Sequence, residues 1–112
     1  MNTENLARSY YRRVNAKDIE GLLALFADDA RFALPDGRIV EGMDAIRTMY
    51  EGVFAHGGPQ PQPVAFVPGE NAVAAEIEVH LADGTVRQMA SFFQVDSQGK
   101  FTSVGVYQRT GG

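Results

Sequence analysis

The chain has 112 residues, 45% of them hydrophobic, and a formal net charge of −4. That is one domain over residues 1–112 with a real core, and without the basic footprint that would draw nucleic acid. The lack of cysteine excludes disulfides, thiolate metal sites and a cysteine nucleophile. Two histidines far apart argue against a zinc site, so no metal or cofactor is expected. Met1-Asn2-Thr3-Glu4 lacks the charged-then-apolar pattern of a signal, and no apolar run approaches a membrane span. The expectation is a cytoplasmic protein with no membrane partner.

Leu6, Tyr10 and Val14, with Ala7 and Tyr11 beside them, recur at helical spacing, and Asn2 or Thr3 can cap the first turn. The other face, with Arg8, Arg12 and Arg13, reads as solvated. Asn15-Ala16-Lys17 breaks the pattern, and Asp18 can cap a second helix carrying Ile19, Leu22, Leu23 and Phe26 on one face. Ala30 to Leu34 alternates as a strand, with Phe32 and Leu34 on one side, and Pro35-Asp36-Gly37 turns it back into Arg38-Ile39-Val40. After Gly42, the stripe Ile46, Met49, Tyr50 and Val53 predicts a third helix ending near Ala55, with Asp44 in the turn where it complements the helix dipole. His56 to Pro63 holds three prolines and two glycines and reads as an extended connector. Val64 to Val67 is the next strand, Pro68 to Asn71 the next turn, and the tail Thr110-Gly111-Gly112 is expected to be loose.

The clearest alternation runs from Ala72 to Arg109 and predicts three strands in succession. With Asp83-Gly84 as a two-residue hairpin turn, Leu81 falls opposite Val86, His80 opposite Arg87, Glu78 opposite Met89 and Glu76 opposite Ser91. Opposed side chains share a face, so Glu76, Glu78, His80, Arg87, Met89, Ser91 and Phe93 would line one side and Ile77, Val79, Leu81, Val86, Ala90 and Phe92 the other. A second turn at Asp96 to Gly99 adds Val104, Val106 and Gln108 to the first of these faces. A mixed face of this kind suits a cavity wall. For His80 and Arg87, exposure at the hairpin tip is an equally good reading.

Helices first and strands afterwards indicate an α+β fold, with three N-terminal helices on one face of a strongly curved antiparallel sheet. The uncovered face, expected to carry Ile77, Val79, Leu81, Ala90 and Phe92, would need a partner, and a two-fold homodimer is the economical solution.

Tyr10-Tyr11-Arg12-Arg13-Val14-Asn15-Ala16-Lys17-Asp18-Ile19-Glu20-Gly21-Leu22, followed by Leu25-Phe26-Ala27-Asp28-Asp29-Ala30, resembles the opening of the SnoaL-like and ketosteroid-isomerase-like branch of the NTF2-like superfamily. Glu41-Gly42-Met43-Asp44-Ala45-Ile46 is similar to the start of that family's third helix, and Phe93 to Phe101 to its last hairpin. The resemblance implies a cone-shaped fold, a bent sheet wrapped around helices and enclosing an apolar cavity, commonly in a dimer. It matches Tyr10 to the oxyanion-binding tyrosine of ketosteroid isomerases and Tyr50 to a supporting tyrosine. The base of those enzymes falls on Leu34, and their second oxyanion donor on Ser91. A leucine cannot accept a proton, and a serine hydroxyl is a weaker donor than a carboxylic acid, so the standard isomerase mechanism is not expected.

Two functions follow. One is acid/base chemistry on a small apolar or amphipathic molecule, such as isomerisation, cyclisation or hydration. Its candidate catalytic residues are Tyr10, Tyr50, Ser91 and, in place of the missing base, Glu76 or Glu78. Phe32, Leu34, His80, Arg87, Met89, Val104, Val106 and Gln108 would contact substrate. The other is ligand binding or dimerisation without chemistry. The discriminator is whether Glu76 and Glu78 point into the enclosed volume, and a one-residue slip of the hairpin would reverse that.

Overall fold

The computed structural model describes residues 2–109, so the tail Thr110–Gly112 lies outside the described residues. Helix α1 spans Thr3–Asn15, α2 Ile19–Leu23 and α3 Met43–Ala55. The strands are β1 (Phe26–Ala33), β2 (Ile39–Glu41), β3 (Gln60–Pro68), β4 (Ala72–His80), β5 (Val86–Val95) and β6 (Phe101–Gln108). They form one curved, unclosed sheet in the order β2-β1-β6-β5-β4-β3. Neighbours run antiparallel except β1 and β6, which run parallel. None of the described helices is long and apolar enough to cross a membrane.

The helix boundaries follow local chemistry. The Asn2 side chain accepts from the Asn5 amide at 3.0 Å, and Asp18 accepts from the Gly21 amide at 2.9 Å, each relieving an unpaired amide of a first turn. At the end of α1 the Lys17 amide donates to Val14 O and the Asp18 amide to Arg13 O, both at 3.0 Å. This is the two-bond helix stop that usually places glycine in the left-handed region, yet Lys17 occupies it with φ +56°.

Two boundaries differ from expectation. Phe26 opens β1 instead of lying on α2: it pairs with Phe101 in β6, whose amide donates to Leu25 O at 2.8 Å. Between Phe26 and Arg31 the register shifts, so Ala27 to Ala30 bulge out of the ladder. Strand β3 starts at Gln60, inside the proline-rich connector. Pro61 and Pro63 are accommodated because β3 is an edge strand, where an amide can be spared.

The main correction is the β4–β5 register. The favoured two-residue turns at Asp83-Gly84 need positive φ at Asp83, yet of the two only Gly84 has it, at +89°. The loop is instead Ala82-Asp83-Gly84, with the Leu81 amide donating to Thr85 O at 2.9 Å and the Gly84 amide to Leu81 O at 3.0 Å. His80 therefore faces Val86, Glu78 faces Gln88, Ile77 faces Met89 and Ala75 faces Ser91. Val73, Ala75, Ile77 and Val79 turn toward the helices and are buried, while Glu76, Glu78 and His80 move to the outer face. The opposite arrangement would expose two branched aliphatics, at about 1.5–3 kcal/mol each, and sink two carboxylates in the core. The expected outer apolar set loses Ile77 and Val79 to the core, and Leu81 packs against it, while Phe92 and Val86 stay exposed.

Packed between helices and sheet is an aromatic cluster of Tyr10, Tyr11, Phe26, Phe93 and Phe101. Phe93 and Phe101 lie 4.9 Å apart and Tyr10 meets Phe93 edge-on at 5.2 Å. Polar ties clamp α1 to the β3 side of the sheet. The Thr3 hydroxyl donates to Gly69 O, and the Asn15 amide group to Pro61 O, both at 2.8 Å.

Replacing Lys17 with glycine removes the Cβ clash at positive φ. Lys17→Gly is expected to raise stability by about 1 kcal/mol, or roughly 4 °C in Tm, measured by thermal and denaturant unfolding.

Candidate functional site

A pocket of about 160 Å³ lies between α1, α3 and the inner face of the sheet. Helix α1 supplies Tyr10, Tyr11 and Val14, because these positions fall on its one apolar stripe. Helix α3 supplies Met49, Tyr50 and Phe54, and the sheet supplies Phe32, Ile77, Met89 and Ser91. Pro59 and Pro61 from the connector complete one wall. Among the described residues lining it there is no carboxylate, histidine, lysine or arginine.

Its polar groups are hydroxyls. Tyr10 and Tyr50 share a hydrogen bond of 2.6 Å between their Oη atoms, and both rings are buried. Two phenols carry two protons and their mutual bond uses one, so the pair retains one O–H to donate elsewhere. Burial pushes Tyr10 up to about 12, against a smaller downward pull from the Tyr50 hydrogen bond. Tyr50 is raised well above the ordinary value by burial and by the nearby Tyr10. Burial raises Tyr11 as well, offset in part by the Ser91 hydroxyl. The two groups are close enough to influence each other, but the Tyr11 Oη has no partner of hydrogen-bond geometry. All three phenols are neutral at physiological pH and act as donors, not as bases.

The structure gathers seven of the sequence-derived site residues around this pocket: Tyr10, Tyr50, Ser91, Phe32, Leu34, Met89 and Val106. The other six lie elsewhere. Val104 is core, 1% exposed. Arg87 and Gln108 are exposed and bond to each other at 3.3 Å. The expectation that Glu76, Glu78 and His80 share the pocket face is overturned by the three-residue turn. Glu76 is exposed, Glu78 accepts from the Gln88 amide group at 3.2 Å, and His80 is half-buried on the outer face. Tyr11, Ile77 and Val79 were not singled out for the pocket by the sequence. Tyr11 is legible in retrospect, four residues after Ala7 and three before Val14 on the same stripe.

Residues 7–104 match the model of the SnoaL-like domain. No curated protein matches the chain significantly. Among solved structures, SalBIII, an epoxide hydrolase/cyclase-like enzyme of pyran ring formation in salinomycin, is 20% identical, with 96% of this chain and 90% of that one covered and a TM-score of 0.84. A candidate ketosteroid isomerase from Kribbella flavida is 21% identical over 96% of this chain and 78% of its own, with a TM-score of 0.86. Rv0760c from Mycobacterium tuberculosis, in complex with an estradiol hemisuccinate, is 22% identical over 93% of this chain and 91% of its own, with a TM-score of 0.77. At these identities the likeness establishes the fold.

The buried phenols give a pH dependence of defined sign. Their folded pKa values exceed the ordinary 10.0, so the unfolded chain loses these protons first. Their contribution to stability is intact below pH 10 and is lost as pH rises from there through about 12. Denaturant unfolding across pH 8–12, with ultraviolet titration of tyrosinate, should show stability falling only in the upper part of that range.

Proposed function

The chain belongs to the SnoaL-like domain family, and on that premise we propose that its pocket binds a small, largely apolar molecule carrying an oxygen acceptor. The observation that carries this reading is the buried Tyr10–Tyr50 pair, with an O–H to spare, in a wall that is otherwise almost wholly apolar. Such a pocket repels charged solutes and rewards one hydrogen bond with correct placement. Its volume of about 160 Å³ is close to the ~150 Å³ that accommodates a benzene ring. The ligand is therefore of one-ring size, and a four-ring steroid of the kind seen with Rv0760c requires the pocket to widen.

Any chemistry is limited by the same inventory. Donated hydrogen bonds can polarise a carbonyl or epoxide oxygen and favour isomerisation, ring closure or water addition. Proton abstraction by a carboxylate is not supported, because Leu34 stands at the base position implied by the family resemblance and both glutamates are on the other face. Binding without turnover is the second reading, favoured by that same loss.

Cyclohexanone, titrated calorimetrically, is expected to bind with a Kd of roughly 1 mM or below. Ile77→Trp, which fills the pocket from the sheet side, should abolish this while the protein stays folded by circular dichroism. Unchanged binding in that variant would place the ligand elsewhere.

The proposal extends to a two-fold homodimer through the outer sheet face. There Phe92 and Tyr107 are 54% and 60% exposed and meet edge-on at 5.6 Å. Exposed aromatics clustered in this way mark an interface. Light scattering should give twice the 12.2 kDa chain mass for the native protein and a single chain for Phe92→Glu. A monomeric native protein overturns this part.

A further inference from the structure

The pocket contains a second donor that the Tyr10–Tyr50 pair does not account for. Tyr11 is 2% exposed and lines the pocket, and its buried hydroxyl oxygen has no partner at hydrogen-bond geometry, the nearby Ser91 hydroxyl acting on it only weakly. Its ring cannot swing out to find one. It is wedged edge-on against Tyr10 at 5.0 Å and Phe93 at 6.0 Å, and Phe66 closes the far side at 6.3 Å. The neighbouring polar group is the Ser91 hydroxyl on β5, itself 3% exposed.

A buried hydroxyl without a partner forfeits the hydrogen bonds it would make to water, so a folded protein rarely keeps one unless something else supplies the acceptor. The group that fits is an oxygen arriving with the ligand. Tyr10 and Tyr50 share one hydrogen bond and keep a single O–H free between them, whereas the Tyr11 hydroxyl makes none, so a ligand oxygen relieves more at Tyr11 than at the pair. Position 11 adds a recognition element beside the tyrosine pair that the family resemblance points to.

We propose that Tyr11 is the specificity-determining residue of the pocket: its hydroxyl donates to the carbonyl oxygen of a single-ring ketone and makes the pocket prefer that ketone to a hydrocarbon of similar size. This rests on the pocket-binding reading above. The ketone oxygen sits on the Tyr11 and Ser91 side, and the ring packs toward Met89, Ile77 and Phe32. A single water held by Tyr11 in the free protein is compatible, since a ketone oxygen displaces it and reproduces its bond.

The test compares cyclohexanone and benzene on the native protein and on Tyr11→Phe, Tyr10→Phe and Tyr50→Phe, with the infrared carbonyl band of bound cyclohexanone as a second readout. Tyr11→Phe is expected to weaken cyclohexanone by about tenfold and to leave benzene within about twofold. The carbonyl band should lie at lower frequency on the native protein than on that variant. If Tyr11→Phe leaves the ketone affinity and the band unchanged, the inference is overturned. The same holds if only Tyr10→Phe or Tyr50→Phe moves them, while benzene binding keeps the pocket reading standing. If neither probe binds the native protein, it is the pocket reading itself that fails. Should Tyr11→Phe not fold, the band on the native protein decides: a frequency equal to that of cyclohexanone in a hydrocarbon solvent means no donor reaches the oxygen, and the inference falls.

Discussion

Which side of β4 faces the helices determines the character of everything inside this fold. The three-residue loop Ala82-Asp83-Gly84 and the burial of Val73, Ala75, Ile77 and Val79 select the same register. With those four residues inward, the sheet offers an aliphatic wall to α1 and α3. Had the strand slipped by one residue, two carboxylates would stand in the same place, and the pocket would hold bases instead of hydroxyls. The loop constrains the choice through Gly84, whose positive φ is tolerated only because it lacks a Cβ, and aliphatic burial supplies the larger free energy.

Given that wall, the three buried tyrosines set the chemistry. Burial raises each of them, so the pocket keeps its phenols protonated and presents O–H groups to whatever enters. Their placement is over-determined by packing. Tyr10 touches Tyr11, Phe26, Phe93 and Phe101, and Tyr50 stacks on Phe54 at 5.7 Å and meets Phe32 edge-on. Donors held this rigidly favour an acceptor in one position, which is the property that binding selectivity and electrophilic activation share. The outer face, freed of Ile77 and Val79 but carrying Phe92 and Tyr107, is a separate surface.

Several elements were legible from local chemistry alone. Tyr10, Val14, Ile46 and Tyr50 sit on the apolar stripes of α1 and α3 and are buried where periodicity places them. Met89, Ser91 and Val106 share the pocket face because the turn at Asp96 to Gly99 sets β5 against β6 in the register that local spacing indicates, and Phe32 and Leu34 reach it by the alternation of β1. Phe26 reads as helical because three-to-four spacing continues through it, and its strand role depends on Phe101, a residue 75 positions away. The prolines of β3 read as a connector because nothing local signals that the segment is a sheet edge.

The sequence by itself determined the apolar faces of α1 and α3 and the tyrosines on them, which rest on spacing within a dozen residues; the order of helices and strands gave the fold class, and resemblance over several stretches pointed to the family. The tertiary structure decided the register of β4 and therefore that Glu76, Glu78 and His80 face outward. Asp-Gly is compatible with both a two-residue and a three-residue turn, and only the burial of Ile77 and Val79 against helices formed earlier in the chain separates them.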